Sequence, residues 1–458
     1  MKVIVCGAGQ VGFNIAKQLA AEQNDVTVID RSPKLIRKIG NVLDVQALVG
    51  YASHPDVLEQ AGARDADMII AVTLFDEVNM MACQVAHSLF SVPTKVARVR
   101  SQSYLKPIWQ DLFSRENMPI DVIISPEVEV ARAIMRRLEV PGAFDMIPFA
   151  DDAVRLLGIR LDENCPLVNT PLRQLTELFP DMSVVVCGIS RGDKMIVPSG
   201  DDQLLVGDDI YVVTDTEHME RAMAVFGHEE QAARRIVIFG GGNVSVFLTE
   251  HLLASSSQFH IKIIEANADR AEAIAERLPK AVVLQGDALD TELQNEANVQ
   301  SAETVIAVTN DDEVNILSSL LAKQAGCSRA ITLTNNQNFG HLMKSMGIDA
   351  YVDPRETTVS SILQHIRRGR IRGLQNLAGG MAEIIEAEAL ETSPLVGKPL
   401  RDIRIPDGIM VGAIVRDGEV VVPRGGTVIQ SEDKVIIFAL SNMVKKVESY
   451  FSVRLEFF

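Results

Sequence analysis

The sequence is poor in the residue patterns that hold metals or form disulfides. Its 458 residues include five cysteines, which form no CxxC pair and no cysteine–histidine cluster at zinc spacing. The eight histidines are also scattered and form no spaced metal set. Isolated cysteines with apolar neighbours are usually small buried residues, so we expect no metal site and a reducing compartment.

Long apolar runs and an excess of positive charge are also missing. No stretch of about 18 or more apolar residues occurs, so we expect no membrane-spanning helix. The short apolar run after Met1 is interrupted at Gly7, which argues against a signal peptide. The 44 basic and 61 acidic residues give a net charge of -17, which argues against nucleic-acid binding through the whole surface.

The sequence does contain an internal repeat. Residues 3–12, VIVCGAGQVG, match residues 236–245, IVIFGGGNVS. Residues 65–80, DADMIIAVTLFDEVNM, match residues 301–316, SAETVIAVTNDDEVNI. The same order recurs with only small insertions, so the chain holds two copies of one large unit.

A smaller unit follows each large one. Residues 165–175, CPLVNTPLRQL, match residues 393–403, SPLVGKPLRDI. The polar stretch at 228–235, HEEQAARR, is typical of a linker between the two halves. We therefore predict four domains, two large ones at 1–139 and 235–370 and two small ones at 140–228 and 373–455.

Within each large unit, short apolar strands alternate with amphipathic helical stretches. This alternation predicts βαβ units, and hence two Rossmann-like, doubly wound parallel sheets with helices on both faces. The small units alternate polar and apolar residues between Gly-Asp turns, so each is predicted to be an α+β module. The strands predicted in the first large unit are Lys2–Cys6, Asp25–Ile29, Val45–Val49, Met68–Val72, Lys95–Val99 and Val122–Ile124.

The glycines of GAGQVG follow the first strand, and Asp30 ends the second. Tight turns alone also recruit glycine, but this position favours a dinucleotide site. There Gly7 would allow the turn, Gly9 would let the backbone approach a pyrophosphate, and Gly12 would let the helix pack on the strand. The phosphates would lie at the helix N-terminus. Asp30 would accept hydrogen bonds from ribose and repel a 2′-phosphate, so we predict NAD rather than NADP.

The second copy departs from this pattern. It reads GGGNVS, in which Gly240 and Gly242 keep their places and Ser245 replaces the glycine that packs the helix on the strand. Glu265 takes the place of Asp30. We predict an adenine-nucleotide site here too, with its preference among nucleotides left open.

The repeated AVTxxDExN segment has two compatible interpretations. Thr73 and Asp76, like Thr309 and Asp312, have the spacing of a helix capping box. The carboxyl end of the fourth strand also lies beside the crevice where ligands bind in such sheets. We therefore predict capping together with ligand contact.

Basic groups near the predicted site differ between the halves. After the fifth strand, Arg98 or Arg100 could reach a phosphate, whereas the second copy, ITLTNN at 331–336, has no arginine.

The basic run HIRRGRIRG at 365–373 is either a solvated helix end or a docking site for an acidic or membrane-associated partner. His54 could face the nucleotide or serve only in packing.

The sequence offers no catalytic constellation. The small units carry no His/Asp or Ser/Tyr/Lys set that could donate or accept a proton beside a nicotinamide, and no Walker A or HExxH pattern occurs. This favours nucleotide binding without turnover. The alternatives are an NAD-dependent oxidoreductase with an unrecognised substrate site, and a scaffold whose Rossmann units have lost nucleotide binding.

Four motifs together resemble the RCK (KTN) domain family: GAGQVG with Asp30, AVTxxDExN, ARVRS at 97–101 and ISPE at 124–127. The PLVxxPLR segments resemble the RCK C-terminal domain, so the resemblance covers essentially the whole chain. It implies a non-enzymatic cytoplasmic subunit, peripheral on the inner face of the inner membrane, that forms a homo-oligomeric dimer or ring. It also implies binding of NAD(H) and of ATP or ADP, and gating of potassium uptake through a TrkH/TrkG-type membrane protein.

The resemblance further implies which residues contact nucleotide. In the first half these are Gly7, Ala8, Gly9, Gln10, Val11, Asp30, Thr73, Leu74 and Arg98. In the second half they are Gly240, Gly241, Gly242, Asn243, Val244, Glu265, Thr309 and Asn310. Ser245 and the missing arginine near Asn335 depart from the family pattern and leave the ligand of the second site open.

Overall fold

The first large unit is a parallel sheet covered by helices on both faces. The computed structural model describes residues 1–21, 23–178, 183–192, 194–336, 339–366 and 371–451. The six strands are β1 Lys2–Cys6, β2 Asp25–Asp30, β3 Gln46–Val49, β4 Met68–Ala71, β5 Thr94–Arg98 and β6 Val122–Ile124. The helices are α1 Gln10–Ala21, α2 Pro33–Val42, α3 Pro55–Gln60, α4 Asp76–Phe90 and α5 Pro126–Glu139. The order β3-β2-β1-β4-β5-β6 confirms the predicted Rossmann-like sheet.

A small antiparallel module follows. Its elements are β7 Ala143–Phe149, β8 Val154–Arg160, α6 Leu172–Leu178, β9 Val184–Arg191, β10 Lys194–Ile196, β11 Asp209–Asp215 and α7 Met219–Val225. The strand order is β10-β9-β11-β8-β7, which confirms the predicted α+β module. Residues 228–234 carry no helix or strand, as expected of the linker.

The second half repeats this architecture. Its large unit contains β12 Arg235–Phe239, α8 Asn243–Ser255, β13 His260–Glu265, α9 Ala268–Arg277, β14 Val282–Gln285, α10 Thr291–Glu296, β15 Thr304–Ala307, α11 Asp312–Ala325, β16 Arg329–Leu333, α12 Phe339–Ser345, β17 Ala350–Val352 and α13 Pro354–Ile366. Its small unit contains β18 Ile371–Leu377, β19 Ala382–Glu388, β20 Ile409–Arg416, β21 Glu419–Val421, β22 Lys434–Leu440 and α14 Val444–Phe451. The strand orders are β14-β13-β12-β15-β16-β17 and β18-β19-β22-β20-β21.

The two small units share a hydrophobic core. Leu156 and Cys187 of the first pack in one buried cluster with Ile384 and Phe438 of the second. Gly188 permits this close packing, because a Cβ there would lie 2.4 Å from the Phe438 ring. The repeat therefore folds with its two copies packed against each other rather than as separate domains.

The large units exchange helices. Val130 and Ile134 of α5, from the first half, are buried in the core of the second sheet with Ile236 and Ile306. In return, α13 of the second half packs on the first sheet through Val359, Ile362 and Leu363. Each Rossmann sheet is thus completed by a helix from the other half, so the two sheets cannot move apart without exposing apolar core.

Arg329 of β16 fixes α5 to the second half. Its buried guanidinium donates hydrogen bonds to the carbonyl oxygens of Arg137, at 2.8 Å, and of Ala143. Arg137 lies in the last turn of α5, where carbonyls have no partner within the helix. Burial lowers the pKa of Arg329 to about 10, and the side chain stays charged at neutral pH.

Replacing Arg329 with methionine is expected to lower the free energy of unfolding by about 2–3 kcal/mol, because one buried and one partly buried carbonyl lose their donor. Urea unfolding measures this change. The control is Arg277→Met, which removes an exposed ion pair with Glu250 (2.7 Å) and is expected to change the same quantity by less than about 1 kcal/mol. Equal effects of the two substitutions would contradict the role of Arg329.

Candidate functional site

The glycine turn between β1 and α1 has the geometry expected of a phosphate-binding loop. Gly7 has a φ of +112°, a conformation that side chains rarely adopt. A Cβ on Gly9 would meet no atom within 4 Å, so the backbone there is open to a ligand. A Cβ on Gly12 would lie 1.8 Å from the Gly7 carbonyl oxygen, so this position requires glycine. The structure therefore shows the turn at Gly7 and the close helix packing at Gly12, whereas the approach of a pyrophosphate to Gly9 stays a prediction.

The turn between β12 and α8 differs at its third position. Gly240 has a φ of +95°, like Gly7. Ser245 is completely buried, and its hydroxyl has no hydrogen-bond partner among the described residues. The second loop therefore leaves room for a side chain where the first does not.

A carboxylate at the end of the second strand holds each glycine loop. Asp30 accepts the Ala8 N–H at 2.7 Å through one oxygen and the Ser32 N–H at 2.8 Å through the other. In the second half, Glu265 accepts the Gly241 N–H at 2.6 Å. A carboxylate oxygen has two lone pairs, so each oxygen can accept a further hydrogen bond from a ribose hydroxyl.

The prediction of a capping box at Thr73 is wrong. Helix α4 begins at Asp76 after Phe75, which makes no side-chain capping bond. Thr73 bonds instead to buried Asn79, whose Oδ1 accepts the Thr73 N–H at 2.8 Å and the Thr73 hydroxyl at 2.7 Å. Asn79 Nδ2 donates to the Thr73 carbonyl at 3.3 Å and to the Arg98 carbonyl at 2.9 Å. One side chain thus holds the loops that follow β4 and β5.

The corresponding box at Thr309 is wrong for the same reason. Thr309 bonds to buried Asn315, whose Oδ1 accepts its N–H at 2.8 Å and its hydroxyl at 2.7 Å. Helix α11 is capped by Asp311, which accepts the Val314 N–H at 2.9 Å. The threonine side chain therefore bonds to the asparagine six residues later rather than capping the helix.

The aspartate of the DExN segment positions the loop after the fifth strand. Asp76 is buried and accepts the backbone N–H groups of Arg100, at 3.0 Å, and of Ser101, at 2.8 Å. Asp312 accepts the N–H groups of Asn335, at 2.9 Å, and of Asn336, at 3.0 Å. This part of the motif therefore shapes the loop that carries Arg100.

One cleft contains both glycine loops. Its volume is about 1030 Å³, and residues of both halves line it at the carboxyl ends of the two sheets. The lining includes these predicted site residues: Gly7, Gly9, Gln10, Val11, Asp30, Thr73, Leu74, Arg98, Gly242, Asn243, Val244, Thr309 and Asn310. The other predicted residues do not line it: Ala8, Gly240, Gly241 and Glu265. The two predicted sites are thus brought into a single compartment.

The cleft is positively charged although the protein is acidic. Five arginines line it against two carboxylates, Asp30 and Glu127; the arginines are Arg31, Arg98, Arg100, Arg270 and Arg355. Burial, and then the charge of Arg100, lowers the pKa of Arg98. The Arg98 Nε is buried without a partner among the described residues, as expected of a group that meets a ligand. Arg100 is paired with Glu127 at 2.9 Å.

Arg270 and Arg355 lie outside the sequence motifs but line the cleft. Arg270 of α9 donates to the Gly241 carbonyl at 2.8 Å and to the Asn243 side chain at 3.2 Å, so it holds the second glycine loop. Leu35 occupies the corresponding place in the first half. The sequence does contain this information, because the two copies differ in charge at this position. Arg270 places a cation beside the second loop, although the segment at 331–336 there has no arginine.

Two further predictions concern positions outside the cleft. The ring of His54 stacks on Tyr51 with centroids 5.1 Å apart. Tyr51 lines the cleft and His54 does not, which supports the packing role of His54. The basic run at 365–373 is described only at its ends, since residues 367–370 lie outside the described residues. Its role stays a prediction, and the predicted domain ends at 370 and 455 also fall outside the described residues.

The described part of the chain contains no metal cluster and no membrane-spanning helix. No group of three or more His, Cys, Asp or Glu there could hold a metal ion. Across the same residues, no helix has both the length and the apolar character needed to cross a membrane. All five cysteines are buried and free. Burial raises the pKa of the Cys6 and Cys187 thiols, which keeps them protonated and unreactive.

Comparison with known domains shows the same tandem order. The TrkA-N domain matches residues 3–126 and 236–354, and the TrkA-C domain matches residues 156–227 and 384–452. Among solved structures, the GsuK RCK domain has a TM-score of 0.58 at 14% identity, covering 99% of this chain and 95% of that chain. The GsuK channel bound to NAD gives a TM-score of 0.58 at 14% identity, covering 99% and 79%. At this identity the likeness shows the fold, and it confirms the predicted RCK architecture.

Curated relatives match along their whole length. The chain is 53% identical over 458 residues to the Trk system potassium uptake protein TrkA of Azorhizobium caulinodans, covering 100% of both chains. It is 41% identical over 462 residues to the TrkA of Halomonas elongata, again covering 100% of both. These relatives are named as potassium uptake proteins rather than enzymes, which agrees with the predicted lack of catalysis. The tandem domains and the full-length relatives show that the chain belongs to the TrkA family of Trk system potassium uptake proteins.

Proposed function

We propose that the protein is a nucleotide-sensing regulatory subunit that binds NAD(H), and ATP or ADP, and gates potassium uptake through a TrkH/TrkG-type membrane transporter. The observation that carries this proposal is the first glycine loop. There the Gly7 turn, the open backbone at Gly9 and the Asp30 carboxylate meet in a cleft of about 1030 Å³. The GsuK channel, which shares the fold, has been described bound to NAD.

Each part of a dinucleotide would find a matching group in the first half. The pyrophosphate would lie at the N-terminus of α1, where unpaired N–H groups and the helix dipole favour anions, with Arg98 beside it. Ribose hydroxyls would bond to Asp30. Leu74 and Phe75 are exposed on the rim, and Arg31 lies 5.6 Å from the centre of the Phe75 ring, so an adenine could pack there.

The second half would hold a nucleotide less selectively. Its loop is held by Glu265, which does not line the cleft, and by Arg270, which lines it and would supply a phosphate-binding cation. Asn310 and Asp311 replace Leu74 and Phe75, so the rim there is polar. We therefore assign the firmer adenine contact to the first half and leave the nucleotide preference of the second half open.

Regulation would follow from the position of the cleft between the halves. Because α5 and α13 are each packed on the opposite sheet, a ligand in the cleft contacts groups from both halves. A nucleotide shifts such an assembly only if it binds one arrangement more tightly than another. Coupling of about 1–3 kcal/mol per site would suffice to alter transport several-fold. The protein would act on the cytoplasmic face of the membrane as a homo-oligomer.

Replacing Asp30 with alanine is expected to lower NADH affinity at least about tenfold, because the ribose loses its acceptor and the Ala8 N–H loses its partner. Calorimetric titration of the purified protein with NADH and NADPH measures this change, and wild-type protein should prefer NADH. The matched control is Glu265→Ala, which alters the second loop and should leave the first site intact. Unchanged NADH affinity in D30A would show that Asp30 does not contribute to NADH binding.

The regulatory role is tested by potassium flux. Proteoliposomes that contain a TrkH-type transporter and this protein should change their flux when NADH or ATP is added, and D30A should reduce the response to NADH. NADH absorbance should stay constant throughout. Steady consumption of NADH with a small carbonyl substrate would instead support an oxidoreductase, and no binding of any nucleotide would support a scaffold.

A further inference from the structure

The two exchanged helices present opposite charges to the cleft. Helix α5 lines it with Pro126, Glu127 and Val130, and α13 lines it at the matching positions with Pro354, Arg355 and Thr358. The repeat therefore places a carboxylate in one first turn and a guanidinium in the other. Neither position belongs to the glycine loops, so nucleotide motifs do not reveal the difference.

The packing of α13 directs Arg355 towards the first half. Val359 and Ile362 follow Arg355 by four and seven residues, a spacing that puts all three on one helix face. Val359 and Ile362 are buried in the core that also contains Ala8 and Ile15 of the first half. Arg355 thus lies one turn beyond this core, on the side of the first glycine loop.

The Arg355 charge is available to a ligand. The Asp353 carboxylate accepts the backbone N–H of Arg355 at 2.8 Å and so fixes the first turn of α13. Within the described residues, the Arg355 guanidinium forms no ion pair and no side-chain hydrogen bond. Burial, followed by the charges of Asp353 and Asp145, raises the pKa of Glu356 to about 7, so this neighbour is only about half ionised near that pH.

Glu127 occupies the position on α5 that matches Arg355 on α13, so α5 offers the second glycine loop no equivalent cation. Its carboxylate is paired with Arg100 at 2.9 Å. Val130, one turn later on α5, is buried with Val246 of α8, which places Glu127 on the side of the second glycine loop. A polyphosphate at the second loop would therefore meet a carboxylate where one at the first loop meets a guanidinium.

We propose that Arg355, supplied by the second half, binds the polyphosphate of a nucleotide held in the first glycine loop and makes this site favour triphosphates. The inference rests on the proposed nucleotide binding and adds a residue that decides between nucleotides. ATP carries about four negative charges and NADH about two, so a guanidinium beside the phosphates stabilises ATP more. Binding of ATP would also tie α13, and with it the second half, to the first loop.

The test is calorimetric titration of ATP and NADH into wild-type protein, Arg355→Gln and Arg355→Lys. We expect R355Q to lower ATP affinity about tenfold and NADH affinity less than about threefold, and R355K to lie between wild type and R355Q for ATP. The matched control is Arg132→Gln on α5, because Arg132 is exposed, paired with Glu129 at 2.8 Å, and outside the cleft. R132Q should bind both nucleotides like wild type.

The outcomes separate this inference from the function on which it rests. Equal losses of ATP and NADH affinity in R355Q would indicate a structural role for Arg355. Unchanged ATP affinity would show that Arg355 does not contact ATP. Either result overturns this inference and leaves the proposed function standing. The loss of ATP affinity in R355Q should persist in a Glu265→Ala background. If the loss disappeared there, Arg355 would serve the second site, which would overturn the inference. Wild-type protein that binds neither nucleotide would overturn the proposed function and this inference with it.

Discussion

Replacing Gly12 with serine is expected to abolish nucleotide binding in the first half and to lower the free energy of unfolding by more than about 4 kcal/mol. A Cβ at this position would lie 1.8 Å from the carbonyl oxygen and 2.9 Å from the carbonyl carbon of Gly7. Both atoms belong to the backbone and cannot rotate away, so α1 would have to move off β1 and distort the phosphate-binding loop. Urea unfolding and NADH titration measure the two effects.

Ser245 supplies the matched control, because it already holds the equivalent place in the second half. Ser245→Ala removes a buried hydroxyl that has no partner among the described residues. We therefore expect it to be neutral or to stabilise the protein by about 1 kcal/mol. If G12S kept the stability and the NADH affinity of the wild type, the tight packing of α1 on β1 would not be required for either property.

Replacing Asn79 with aspartate is expected to destabilise the protein by about 3 kcal/mol and to weaken the first nucleotide site strongly. The two side chains have the same shape, but aspartate has no N–H groups for the carbonyls of Thr73 and Arg98, which Asn79 contacts at 3.3 Å and 2.9 Å. A buried carboxylate would instead face two carbonyl oxygens. The loops after β4 and β5 would separate, and Thr73, Leu74 and Arg98 would lose their positions.

The measurements are urea unfolding and NADH titration at neutral pH, with Asn315→Asp as the partner variant. Asn315 makes the same contacts in the second half, to the carbonyls of Thr309 and Leu333, both at 3.1 Å. N315D should therefore lose similar stability while the first site keeps its NADH affinity. If both variants reduced NADH affinity equally, the effect would not be local to the first loop.

The strands of the first sheet could be predicted within one residue at each end, because buried parallel strands are short apolar runs bounded by loops. The capping boxes could not be predicted correctly. A threonine three residues before an aspartate has the local spacing of a cap, but the partner of Thr73 is Asn79, and the contact forms only when the loop folds over α4. A hydrogen bond to a buried side chain six residues along the chain prevailed over the spacing of a cap.

The sequence by itself determined the tandem order, the two Rossmann sheets, the glycine turns and the acidic residues that end the second strands, because each depends on neighbours close in the chain. Only the tertiary structure decided that α5 and α13 exchange sheets and that the two sites share one cleft. Contacts such as Arg329 to Arg137, which are 192 residues apart, carry no local periodicity. Arg270 and Arg355 enter the cleft for the same reason: the packing of apolar helix faces, rather than any motif, sets where their charges lie.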